Sequence, residues 1–159
     1  MNLRTLLAVT ALVGATAVPL ADAAAPKITS KGVGRVLLGR TSHGLRSEHL
    51  IGRVKSAGCD AAGPTLRAAR LRAPLKGFVQ FIRPRLRATQ ITITGGAKAR
   101  GVGVGSTVRA VRRAFPKAKV KRILGFKVVD VPRGGGGPLQ FLIEGKVSQI
   151  GIPGIAFCE

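Results

Sequence analysis

The chain has no Trp and no Tyr, and only six Phe, two Cys and one Met among its 159 residues. Each scarcity excludes something. Proteins that hold single-stranded nucleic acid stack bases on aromatic platforms interleaved with basic residues. The six Phe stand mostly in apolar, strand-like runs instead, and no helix-turn-helix, zinc-finger or RNA-binding signature is present. Nucleic acid is therefore the less expected polyanion. There is no CxxC, which argues against redox catalysis. Clustered ligands are also missing, which argues against structural zinc. Carboxylates are scarcer still: 6 Asp+Glu face 27 Lys+Arg, for a net charge of +21. Paired-carboxylate chemistry has little to work with, since Asp60 and Asp130 each lack a carboxylate neighbour.

A long membrane-spanning run is also absent. The longest uncharged apolar stretch, Thr5 to Leu20, has 16 residues and is interrupted by Gly14 and Pro19. A spanning helix needs roughly 20. The stretch follows a short basic start containing Arg4 and precedes Ala21-Asp22-Ala23, the small-x-small pattern of a signal-peptidase site. Residues 1–23 are thus expected to be a removable secretory signal peptide. Cleavage after Ala25 is the poorer choice, because Pro26 would follow it. No cysteine follows the leader to carry a lipid, and the leader has no twin-arginine pair. The expected product is secreted or extracellular, with association with the cell wall as one expected destination.

What remains is strongly basic. Arg4 and Asp22 cancel, so the 136 residues after cleavage keep the whole +21. A field of that size attracts anionic polymers and repels itself at low salt. Three groups of cations show a pattern: Arg83, Arg85 and Arg87; Lys117, Lys119 and Lys121; and Arg67, Arg70 and Arg72. The first two alternate, so each trio would point to one face of an extended chain. These nine are the candidate polyanion-binding residues. A plain solvated face is the alternative reading, since charged side chains belong on surfaces.

The chain also resembles itself. Val36-Leu37-Leu38-Gly39-Arg40-Thr41, then Leu45, matches Val102-Gly103-Val104-Gly105-Ser106-Thr107, then Val111, at an offset of 66 residues. Val79-Gln80-Phe81-Ile82 and Gln90-Ile91-Thr92-Ile93 match Leu139-Gln140-Phe141-Leu142 and Gln149-Ile150-Gly151-Ile152 in the same order. Two units are expected, 24–95 and 96–159. In each, Thr41 or Thr107 suits a helix N-cap. Val108, Val111, Ala114 and Phe115 fall at helical spacing, and Pro116 ends the run. Leu45, Leu50, Ile51 and Val54 form a looser first stripe, weakened by Gly44 and Gly52. Hairpins are expected from Phe78–Ile82 with Thr89–Thr94, and from Leu139–Ile143 with Val147–Ile152. Leu66–Leu71 and Phe126–Val131 are further strand candidates, and Gly134–Gly137 reads as a loop. The expected class is α+β: two tandem helix-plus-antiparallel-hairpin units, with the helices packed on antiparallel sheet.

On the G-x-T helix starts at Gly39-Arg40-Thr41 and Gly105-Ser106-Thr107, and the paired strands ending at Ile93 and Ile152, the chain resembles the tandem units of β-lactamase-inhibitor proteins and of small outer-membrane-assembly lipoproteins. On Gly101–Ser106 and the closing Ala156-Phe157-Cys158-Glu159, it is similar to uncharacterised exported proteins of high-GC bacteria. The resemblance implies that fold, and admits a second function: a secreted proteinaceous inhibitor of an extracellular enzyme.

Apparent catalytic motifs fail on spacing. Gly101–Thr107 lacks the Lys of a phosphate-binding loop and the third Gly of a dinucleotide fingerprint, so it reads as a glycine-rich approach to a helix. A weak anion site at Ser106, Thr107 and Arg109 is its only other use. His43, Glu48 and His49 are the one cluster of catalytic residue types, but six-residue spacing turns the two His to different sides of a helix. The protein is expected to be non-enzymatic, with no cofactor and no metal. It is expected to be a binding module that meets a protein or an anionic cell-envelope polymer through a basic sheet surface.

Cys59 and Cys158 are expected to form a disulfide in an exported chain, the alternative being two free buried thiols. Reduction should then cost up to about 4.7 kcal/mol through loop-closure entropy. Urea unfolding with and without reductant measures that loss. Reaction of both thiols with a labelling reagent before reduction would sink the disulfide.

Overall fold

The computed structural model describes residues 24–57, 66–133 and 137–155. The expected signal peptide (1–23) and the expected Cys59–Cys158 disulfide lie outside the described residues, as do Asp60 and most of the Gly134–Gly137 run.

Each half begins with a tight ribbon of two short strands. In the first half these are β1 (Gly32–Val33) and β2 (Val36–Leu37). The chain then turns at Gly39, whose φ of +80° is a left-handed conformation that favours glycine. Thr41 caps α1 (Ser42–Ser47), its hydroxyl accepting from the Gly44 amide at 3.2 Å. This satisfies one of the orphan donors of the first turn. Four strands follow: β3 (Lys55–Ser56), β4 (Leu66–Arg70), β5 (Lys76–Ile82) and β6 (Arg87–Gly95).

The same order then recurs. β7 (Lys98–Ala99) and β8 (Val102–Gly103) form a ribbon. Gly105 turns at φ +86°, and Thr107 caps α2 (Val108–Ala114) by accepting from Ala110 at 3.2 Å. β9 (Lys119–Ile123), β10 (Phe126–Val131), β11 (Leu139–Glu144) and β12 (Lys146–Ile152) complete the run.

The other eight strands form one antiparallel sheet in the order β3-β4-β5-β6-β12-β11-β10-β9. Two meanders therefore meet at their last strands. The join is symmetric: Ile93 pairs with Ile150, Thr92 with Gly151 and Ile91 with Ile152. Ile91 and Ile93 stand in the first sequence match where Ile150 and Ile152 stand in the second, so the register maps onto itself about the Thr92–Gly151 pair.

Residues alternate between the two faces of a strand, and directly opposed residues share a face. One face carries Val79, Phe81, Ile91, Ile93, Val129, Phe141, Ile150 and Ile152, all fully buried. The ribbons and helices cover it with Val33, Val36, Leu45, Val102, Val111 and Phe115, making one core that draws on both halves. The Phe115 and Phe141 rings meet at 5.7 Å with a 46° tilt. The other face is thinner and carries a small cluster of Val128, Leu142 and Ile155. Here the chain leaves β12 and doubles back over the sheet. Gln90 Nε2 donates to the Gly154 carbonyl at 2.7 Å, and Gln140 Oε1 accepts from the Ile155 amide at 3.0 Å.

The expected fold class is corrected by this arrangement. Among the described residues the protein is mostly β, with 48% strand against 11% helix, and is not a pair of helix-plus-hairpin units. The helices have only 6 and 7 residues, too short to roof an eight-stranded sheet alone. The first is shorter than its apolar stripe suggested. Leu50 and Ile51 leave the helix to run beside β4: Arg72 N donates to Leu50 O at 3.0 Å, and Ile51 bridges Leu71. The expected hairpins are present, but each is extended by two more strands into a four-stranded meander.

The returning segment presses directly on Gly151. A Cβ there would stand 2.0 Å from the Gly154 oxygen and 2.5 Å from the Ile155 nitrogen. Gly151→Ala is expected to cost about 1–3 kcal/mol by overpacking, seen as a lower urea midpoint at unchanged slope.

Candidate anion-binding site

The nine candidate cations do not converge on one patch. Arg83 and Arg85 are exposed in the turn between β5 and β6, so they do not form the extended row expected of them. Arg87 opens β6, and its Nη1 donates to the Gly39 carbonyl at 2.9 Å. Arg67 and Arg70 lie on β4, opposite Phe81 and Phe78, and so on different faces. Arg72 is exposed just beyond that strand. Lys119 and Lys121 do share the thinner face of the edge strand β9, opposite Asp130 and Val128. Lys117 falls before that strand. β6 and β9 are four positions apart in the sheet, about 19 Å at ordinary strand spacing.

The few carboxylates are consumed locally. Glu48, at the C-cap of α1, is held by Arg35 at 2.7 Å and by Arg40 in a shorter contact. The hydrogen bond from Arg40 is the main reason its carboxyl is pulled below the usual carboxylate range, with the Arg35 and Arg40 charges assisting against desolvation. Neither His43 nor His49 bonds to it, so the cluster of catalytic residue types is a structural clasp between α1 and the β1–β2 turn. Asp130 receives Lys121 Nζ at 2.5 Å. Among the described residues there is no group of three His, Cys, Asp or Glu able to hold a metal.

Ser106 is also occupied. Its hydroxyl accepts from the Gly103 amide at 3.1 Å, while its carbonyl accepts from Val147 at 2.9 Å. With Thr107 capping a seven-residue helix, the glycine-rich stretch is a turn-and-ribbon device, not an anion cradle.

A site that the sequence patterns did not single out lies where the end of α2, the end of β10, the start of β11 and the segment before β1 meet. It is a cleft of about 650 Å³. Its apolar wall includes Phe115, Val131 and Leu139, and its charged lining is Arg100, Lys117 and Arg133. Among the described residues no carboxylate lines it. Arg100 stacks over Phe115 with its guanidinium carbon 5.3 Å from the ring centre, and reaches the Ala114 carbonyl. Arg133 Nη1 donates to the Thr29 carbonyl at 2.9 Å. Desolvation pulls the Arg133 pKa below its ordinary value, yet a guanidinium stays charged in proteins. Of its three cations, only Lys117 belongs to an alternating run. Arg100 has only Lys98 beside it and Arg133 has no basic neighbour in the sequence, so no alternating trio marked them.

No protein family, curated protein or solved structure matches the chain. Function must therefore be argued from the site itself. No helix among the described residues is long and apolar enough to cross a membrane.

The Glu48 clasp has a pH signature. Its folded-state pKa is depressed, so its contribution is present at neutral pH and is lost as pH falls through the depressed value, below 4.5. Wild type should therefore unfold at higher urea than Glu48→Gln at pH 7, and the difference should vanish on acidification. A constant difference down to the lowest pH tested would remove the ionic clasp.

Proposed function

We propose that this protein is an exported, non-catalytic binding module that meets an anionic polymer of the cell envelope through its cationic surface. One observation carries the reading: among the described residues only Arg35, Arg40 and Lys121 are ion-paired, although every Lys and Arg of the chain except Arg4 lies in those residues. The two paired carboxylates, Glu48 and Asp130, leave exposed Glu144 as the one other described acid. A surface so poor in internal counter-charge is compensated by ions from solution, and a polyanion displaces those ions with a gain in entropy.

The cations are spread along the β5–β6 turn and the β9 edge, so the expected mode is distributed contact with a flexible polymer. Arg83, Arg85 and Lys119 are better contact residues than Lys121, whose ammonium is already engaged by Asp130.

Co-sedimentation with isolated cell-wall sacculi across a salt series tests this. Log affinity should fall linearly with log salt. Replacing Arg83, Arg85 and Lys119 by Gln should reduce the slope by about one per lost contact. Absence of binding at physiological salt overturns the proposal.

A further inference from the structure

The cleft between the end of α2 and residues 131–133 at the end of β10 has features that a distributed polymer contact does not need. It is an open cleft lined by elements far apart in sequence, and its volume of about 650 Å³ is that of a small-molecule site. Its two chemical halves are separate. Phe115, Val131 and Leu139 are buried core residues whose edges form the apolar wall. Arg100, Lys117 and Arg133 supply positive charge at the same opening.

Arg133 is the informative member. It is only partly exposed, and its one side-chain hydrogen bond to another described residue goes to a backbone carbonyl. A partly desolvated charge is normally matched by a counter-charge. None of the three described carboxylates lines the cleft or pairs with Arg133: Glu48 and Asp130 are paired with other cations, and Glu144 ends β11 at the far end from Leu139. Arg100 is held in place by its stacking on Phe115 and so needs little reordering to receive a ligand.

We infer that this cleft binds a small amphiphilic anion, one acidic oxygen headgroup carried on a short apolar group. The inference rests on the reading of the protein as an anion-binding module, and adds a discrete, saturable site to it. The guanidinium of Arg133 receives the headgroup in charge-assisted hydrogen bonds, Lys117 adds a second charge, and the apolar group lies against Phe115, Val131 and Leu139. A carboxylate and a phosphate monoester share this chemistry.

Titration calorimetry on the folded protein with n-octyl phosphate and with octanoate tests it and separates the two headgroups. At least one should bind with one-to-one stoichiometry, and whichever binds more tightly names the headgroup. Arg133→Gln and Lys117→Gln should each weaken that ligand by about tenfold. Arg85→Gln, in the exposed turn, should leave it unchanged. Because Arg133 also anchors Thr29, the Lys117 variant keeps the test valid if Arg133→Gln fails to fold. Inorganic phosphate and neutral n-octyl glucoside should each bind far more weakly than the amphiphile. Equal binding of either control, equal weakening by Arg85→Gln, or no saturable binding of either amphiphile overturns the site. Loss of sacculus binding with amphiphile binding intact would sink the polymer reading alone. The reverse result would sink only the cleft.

Discussion

The structure depends on the pairing of β6 with β12. Each half of the chain folds back on itself as a four-stranded meander, and a meander ends in a strand whose outer backbone groups have no partner. Those groups must be satisfied, by water or by another strand. Here each meander supplies the other's missing strand. Ile91, Ile93, Ile150 and Ile152, opposed in two cross-strand pairs, are fully buried. Their burial stabilises the join by about 1.5–3 kcal/mol per side chain. Once it is made, the two halves cannot keep separate cores. The ribbons and helices of both pack on one continuous sheet face, and the sheet is left with two outer edges in place of four. Those edges are β3, only two residues long, and β9, which carries Lys119 and Lys121. Brevity and lysine are the usual devices that keep an edge from recruiting further strands.

The same join governs the opposite face. The pair at its centre is Thr92 with Gly151, and the absence of a side chain at Gly151 lets the chain return across the sheet. Gln90 and Gln140 stand on either side of that crossing, one in each half, and hold it through a carbonyl and an amide. They are not equivalent in the sequence matches, where Gln90 aligns with Gln149 and Gln140 with Gln80, so the strap breaks the symmetry of the two halves. Polar residues on a sheet face thus become the anchors of a strap, and the small cluster of Val128, Leu142 and Ile155 is sealed by it.

Local features were legible in the sequence because they depend on local physics. Thr41 and Thr107 cap as their hydroxyls require, Pro116 follows the second helix, and Phe126–Val131 forms a strand over the same residues. The first helix was overestimated because Leu45, Leu50, Ile51 and Val54 fit a loose helical period. Gly44 and Gly52 weaken a helix there, and backbone bonds to β4 won Leu50 and Ile51 for an extended path. The fold class was misjudged for a non-local reason. Strand periodicity marks where strands run, and two hairpins in sequence look alike whether they stand apart or join edge to edge. The decisive contact, between residues near 92 and near 151, has no local signature.

The charged residues show the same divide between local pattern and spatial arrangement. Alternation selected Arg83, Arg85 and Arg87, yet the chain turns through those residues and spends the alternation. It selected Lys119 and Lys121 correctly as neighbours on one strand face, but Asp130 neutralises the second. In a chain with 27 basic residues, periodicity cannot separate a cation that faces water from one that faces a cavity. Desolvation can. Arg133 follows Pro132 at the end of β10, and its direction is set by the Thr29 carbonyl, a hundred residues earlier in the chain. Arg100 is fixed by the ring of Phe115. A cation that has given up part of its hydration, without a carboxylate to replace it, carries a free-energy cost that an anionic ligand relieves. Exposed lysines carry no such cost, and their attraction to polymers is diffuse and screened by salt. Net charge therefore argues for the class of partner, while burial argues for the place where a particular one would be held.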